Sequence, residues 1–171
     1  MACEALETIV KSCDNNSGGI EKIWINQQDN IDTAVVPTGT WEINDINLVA
    51  GAPDYTPFEI RRNTGSYVED AAIDLVNGSS YVTKTITLMF HRRDQDKSQA
   101  IKILGAGQQY LNAIIKDMNG KYWYFPYLQL SAVGEGSGTA RADGSKYSVT
   151  LVSEDDFLSY EITEAAVLAV I

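Results

Sequence analysis

Histidine occurs once in the chain, at His91, within His91-Arg92-Arg93-Asp94-Gln95-Asp96. A Ser-His-Asp nucleophile needs an imidazole base held by an orienting acid, and His91 is the only imidazole to supply it. It lies where a strand pattern runs into two arginines and two aspartates, as a solvated connector residue would. One histidine with Cys3 and Cys13 does not fill the four positions of a structural zinc site. The carboxylate runs Glu154-Asp155-Asp156 and Asp94 with Asp96 read as solvated charge. Asp14-Asn15-Asn16 begins like a calcium loop but lacks the closing Glu. Gly105-Ala106-Gly107 follows a helical pattern instead of opening one, so it is no dinucleotide fingerprint. Gly134, Gly136 and Gly138 are followed by Thr-Ala-Arg-Ala-Asp-Gly, without the Gly-Lys-Ser/Thr of a phosphate loop. The expectation is a protein with no catalytic residues, no cofactor and no metal.

Charge narrows the partners. The chain has 171 residues, enough for one domain with a substantial core, and a formal net charge of -10. Nucleic-acid binders neutralise phosphates with Lys and Arg, so this balance argues against them. It also argues against docking to anionic membranes, while suiting a surface that nucleic acid slides past. No segment reaches the ~20 apolar residues of a membrane span. Met1–Cys13 carries two Glu and lacks the basic start of a signal peptide. A cytoplasmic origin, or assembly into a particle there, is expected. The sequons Asn15-Asn16-Ser17 and Asn77-Gly78-Ser79 have no role without secretion. Cys3 and Cys13 would pair only under oxidising conditions and stay thiols in a cytoplasm.

The elements that would have to position any site are mostly strands. Residues 1–19 read as an arm, with a short helix over Glu4–Ser12 ended by the turn cluster Asp14–Gly19. Strand patterns follow at Ile20–Asn26, Thr33–Val36, Gly39–Val49, Phe58–Arg62 and Ser66–Val76. The clearest is Ser80–His91. Val82, Ile86, Leu88 and Phe90 share one face, Thr83, Thr85 and Thr87 the other. Lys84 breaks the apolar face, which places it near the strand's end or at a subunit boundary. Asp94 is a candidate N-cap for a helix ending at Leu104, before Gly105 and Gly107. Asn119-Gly120 reads as a hairpin tip with positive φ at both residues, joining strands near 110–117 and 121–130. Ser131–Ser145 reads as a long Gly/Ser-rich loop, Tyr147–Leu151 and Phe157–Ile162 as strands, and 163–171 as an apolar tail. The sum is a mainly β, antiparallel sandwich or barrel over residues 20–162, with one flanking helix at about 94–104.

The aromatic strand Tyr122-Trp123-Tyr124-Phe125 puts bulky side chains on both faces. Both faces must then be covered. One set packs the core; the other meets the helix, a ligand or another subunit. Trp123, Phe125 and Tyr127, with Leu168 and Val170 of the tail, are the candidate subunit-interface residues. The ligand version is a carbohydrate or peptide platform on residues 122–127 of a monomeric binding module.

The order of elements resembles a known family. "GGIEKIWI" after a cysteine-bearing arm, then "FEIRRNTGSYVED", "TKTITLMFHRRDQDKSQAIKIL", "AIIKDMNGKYWYF" and "GEGSGTARADGSKYSVTLVSED" are similar to tail-tube-fold structural proteins of tailed bacteriophages. Those of Bacteroidota and crAss-like phages are the nearest in pattern. The resemblance covers residues 3–162. It implies a β-sandwich whose copies form a ring, of six or twelve subunits, in the tail tube or at the head–tail junction. It implies contacts with other tail or portal-side proteins, and an acidic channel that passes duplex DNA without specific binding. It implies a virion location and no catalytic residues. The neighbour-contacting loop would be Ala50–Pro57 or Ser131–Ser145. The resemblance assigns no particular carboxylates to the channel wall.

Overall fold

The computed structural model describes residues 8–37 and 40–171. Seven strands form one continuous antiparallel path. In spatial order they are β5 (Thr56–Phe58), β1 (Ile20–Gln27), β8 (Leu111–Asp117), β9 (Tyr122–Gly136), β10 (Lys146–Asp155), β7 (Ser79–His91) and β6 (Gly65–Asp74). β9 is long enough to serve two partners: Tyr122–Leu128 pairs with β8, and Gln129–Gly136 pairs with β10. The path therefore folds over on itself at β9. The two halves face one another across a first core. Ile23 and Ile25 of β1, Ala113 and Ile115 of β8 and Phe125 meet Ile86 and Leu88 of β7 and Val149 and Leu151 of β10. The mainly β, antiparallel expectation holds.

A second core lies on the back of the β1–β8–β9 half. Trp24, Ile114, Tyr122 and Tyr124 are covered by Ile43, Ile46, Tyr55, Ile162, Ala166, Val167 and Val170. The cover is built from short pieces. β2 (Ile31–Val35) pairs with β4 (Asp45–Leu48), and β3 (Glu42–Ile43) runs parallel to β11 (Tyr160–Ile162). A C-terminal helix, α2 (Glu164–Leu168), is capped by the Thr163 hydroxyl, which accepts from the Ala166 N–H. β11 also pairs with β9, which anchors the cover to the sheet. The segment expected as a tail, 163–171, is therefore part of the domain. A buried, two-faced strand reads as an unbroken apolar run. Ala113-Ile114-Ile115 is such a run, wholly buried with side chains in both cores.

Local chemistry sets the boundaries. The helix α1 (Gln95–Leu104) is capped by Asp94, whose carboxylate accepts from the Lys97 N–H at 2.8 Å. Ile101 and Leu104 enter the first core. The Asn119-Gly120 tip differs from expectation. Only Gly120 has positive φ, at 83°. The Gly120 N–H meets the Asp117 carbonyl, and the Asp117 N–H meets the Lys121 carbonyl. This is a three-residue loop, a turn followed by a left-handed glycine, because the Asp117 carboxylate accepts from the Asn119 and Lys121 N–H groups and fixes that form. Ser131–Gly136 belongs to β9, so the Gly/Ser-rich loop shortens to 137–145. Phe58–Arg62 was expected as a strand, and only Thr56–Phe58 pairs, with β1. Gly65 opens β6 against β1: a Cβ there would lie 2.7 Å from Ile60 Cδ1 and 3.1 Å from Ile20 Cβ. Thr8–Ser12 is not helical and Cys13 is exposed, while Cys3 and the start of the expected arm helix lie outside the described residues.

Val167 is wholly buried under the second core. Val167→Ala should lower unfolding free energy by about 2 kcal/mol. Urea denaturation followed by tryptophan fluorescence, with Trp24 in that core, measures it.

Candidate functional site: exposed apolar and charged surfaces

The five residues expected at an interface do not form one patch. Phe125 has no exposure and packs edge-on to Tyr67, 5.3 Å between ring centroids. Val170 is 3 % exposed, inside the second core. Both are corrections: the alternating pattern put one aromatic pair outside, whereas the second core covers what the first does not. Trp123 is half-buried against the first core, and its Nε1 donates to Asp117 Oδ2 at 3.0 Å. Tyr127 and Leu168 are exposed, at 57 % and 62 %. Of the ligand platform expected on residues 122–127, Tyr122, Tyr124 and Phe125 are buried, Trp123 is half-buried and Tyr127 is exposed.

Tyr127 owes its exposure to the corner of β9. Register passes from Ala113↔Phe125 to Leu111↔Leu128, which leaves an extra residue on β9. Tyr127 takes up the bend with φ of 53°, a conformation uncommon outside glycine. Its N–H, released from the ladder, is accepted by Gln28 Oε1 at 3.2 Å. The same oxygen accepts from Asn112 Nδ2, and Asn112 Oδ1 accepts from the Tyr55 hydroxyl at 2.6 Å. Burial raises the Tyr55 pKa strongly, with Tyr124 adding to it. Burial also pushes Tyr124 up to about 12, against a lowering hydrogen bond from Asn112. These phenols stay neutral and tie the bend to the second core. Beside the corner, Tyr127 stands edge-on to Tyr110 at 6.1 Å over an open cleft of about 680 Å³.

A further exposed apolar feature is one the strand reading passed over. β6 and β7 form a hairpin whose tip, Leu75–Gly78, extends past the last residue of β10, since Asp155 pairs with Val82. Ile73, Leu75 and Val76 there are 70 %, 91 % and 93 % exposed. The signal was present in the sequence: Leu75-Val76 stands directly before Asn77-Gly78, a turn dipeptide of the same kind as Asn119-Gly120. The Asp74 carboxylate organises the tip. It accepts from the Val76 N–H at 2.9 Å, the Asn77 N–H at 3.1 Å and the Asn77 amide at 2.6 Å. Those bonds, from Asn77 first, hold its pKa below the usual carboxylate range.

The root of this hairpin carries a buried charge. Lys84 is wholly buried, and its Nζ donates to Asp155 Oδ2 at 2.7 Å, with Asp155 about one-third exposed. Lys84 lies in register between Glu69 on β6 and Ser153 on β10. Glu69 accepts from the Ser159 N–H at 2.8 Å and from its hydroxyl. The Ser153 hydroxyl is buried without a hydrogen-bond partner among the described residues. Lys84 thus lies neither at the strand's end nor at a subunit boundary, the two places expected for it, but within the buried face between Val82 and Ile86, and its partner comes from the same chain. A further exposed aromatic group lies on the cover: Trp41 stacks on Tyr160 at 6.1 Å and leans on Phe157 at 6.3 Å.

His91 ends β7, half-exposed. Among the described residues no three His, Cys, Asp or Glu side chains converge to hold a metal ion, and no helix is long and apolar enough to cross a membrane. No protein-family model matches the chain, and no curated protein matches it.

Asp155→Asn should cost about 3 kcal/mol or more, because it strands a buried ammonium, whereas Lys84→Met should change stability by no more than about 1 kcal/mol. Paired denaturation curves test the asymmetry. At the tip, the contribution of Asp74 is complete above the unfolded carboxylate pKa and is lost as pH falls through the lower folded value. The Val76 and Asn77 amide resonances should therefore titrate below the ordinary aspartate range, and not at all in Asp74→Ala.

Proposed function

We propose that this protein is a structural subunit that assembles with copies of itself, as a ring of a phage tail tube or head–tail junction. The observation that carries the reading is the β6–β7 tip, where Ile73, Leu75 and Val76 stand in water without a partner in the monomer. Contiguous exposed apolar surface marks sites of association. A tip of three such residues at the end of a two-stranded hairpin can serve as a docking element. Three further features support it. The antiparallel two-layer sheet with a flanking helix is the architecture that the resemblance implies. β6 is an open edge of ten residues, whose outer backbone groups are free to pair with another strand. The net charge of -10 suits a channel wall that duplex DNA passes without adhering. In this reading the protein resides in the virion, contacts other tail or portal-side proteins, and turns over no substrate.

Light scattering on a sizing column, with negative-stain images of the same fraction, tests the proposal. Closed rings or tubes are the expected result. A chain that stays monomeric at every concentration, and is missing from rings in particles, overturns it. Leu75→Ser with Val76→Ser should leave stability within about 0.5 kcal/mol. The pair should weaken self-association by about tenfold or more, since each side chain loses its burial.

A further inference from the structure

Charge is unevenly distributed along the sheet of β10, β7 and β6, and this inference rests on the reading of the chain as a self-assembling subunit. β7 has thirteen residues, so its two ends lie about 40 Å apart. One end is the hairpin tip. Asp70 and Asp74 of β6 are exposed there, with Glu154 and Asp156 beside them at the end of β10. The cation in that region is Lys84, which is buried and held by Asp155.

The other end is built from Arg61 and Arg62 before β6, Arg92 after β7, and Arg141 and Lys146 around the β9–β10 turn. The Met89 N–H meets the Thr64 carbonyl, the Arg92 N–H meets the Ser145 carbonyl, and Lys146 pairs with His91. These contacts bring the three segments to one edge of the sheet. Three of the carboxylates nearest are already engaged, while Glu59 and Asp96 are exposed and form no ion pair among the described residues. Glu135 binds Arg93 at 3.1 Å, and Asp94 binds Lys97 while capping α1. Asp143 accepts from the Thr139 and Ala140 N–H groups. Arg61, Arg62, Arg92, Arg141 and Lys146 form no ion pair among the described residues, and all five are exposed. A protein with a formal net charge of -10 thus keeps a basic end opposite an acidic, apolar-tipped one.

We propose that a second copy of the chain docks its acidic β6–β7 end against this basic end, head to tail. An end-to-end two-fold pairing would set either end against itself and bring like charges together, which is unfavourable. Head-to-tail contact sets Asp70 and Glu154 toward the arginines and takes Leu75 and Val76 out of water. Such a contact is heterologous: it leaves one end of each kind free and continues into a stack or a closed cycle.

The test is sedimentation of the full-length protein across a salt series, with four charge variants. Self-association should weaken about tenfold or more between 0.05 and 0.5 M NaCl. Arg62→Glu with Arg141→Glu should weaken it about as much, and so should Asp70→Lys with Glu154→Lys. Combining all four in one chain restores complementarity with the sign reversed, and association should return to within about threefold of the parent. Mixing the two double variants should also restore association, as an alternating stack in which every acidic end meets a basic one. Assembly that ignores salt and all four substitutions overturns this inference while leaving the subunit reading in place. A monomer under every condition overturns both. Duplex DNA binding to the parent through Arg62 and Arg141, in place of self-association, also overturns it.

Discussion

The structure depends on one strand pair being apolar on both sides. Ile114 and Ile115 are adjacent on β8 and both wholly buried, and Tyr124 and Phe125 repeat the arrangement on β9. Side chains alternate across a strand, so neighbours of this kind demand two separate covers. The folded-over half of the sheet supplies one. The other must be assembled from β3, β4, β11 and α2, pieces too short to be stable alone. The apolar C-terminal segment is explained by this requirement. It is the lid of the second core, and the aromatic strand is the floor.

Folding the sheet over has a polar cost, which the chain confines to two places. At the β9 corner, an amide lost from the ladder is recovered by Gln28, and the relay through Asn112 to Tyr55 leaves that bend hydrogen-bonded throughout. At the root of the β6–β7 hairpin, Lys84 is desolvated and offset by Asp155 alone. The second site holds both strands of the hairpin against the β10–β11 connection, through Lys84–Asp155 on β7 and Glu69–Ser159 on β6. The tip is therefore carried by a fixed base, and its direction is a property of the fold.

Much of this was legible in the chain. Ser80–His91 announced its buried face by an alternation that only Lys84 interrupts, and Asp94 announced the start of α1, since both signals are local. The Asn119-Gly120 turn was legible as a turn but not as a type, because the Asp117 side chain chose between forms and its reach is tertiary. Ser131–Gly136 was unreadable as strand because Gly and Ser are poor strand formers, and pairing with β10 overrode that preference. Phe125 and Val170 were misplaced for a single reason. Periodicity shows that a strand has two apolar faces but not whether the second cover comes from the same chain. Ile73–Val76 was missed because an apolar run inside a strand pattern reads as buried, and only the register with β10 reveals that it overshoots the sheet.

The lid also orders events in time. β3 finds its parallel partner in β11, more than a hundred residues later, and Tyr55 donates its N–H to the carbonyl of Val170. During synthesis the first sheet can form as β10 leaves the ribosome, yet Trp24, Ile114, Tyr122 and Tyr124 stay bare until residues 160–170 have been made. Contacts so distant in sequence close late. The nascent chain therefore carries an apolar floor until α2 and Val170 emerge to seal it. Removing that helix would leave the same surface bare to water.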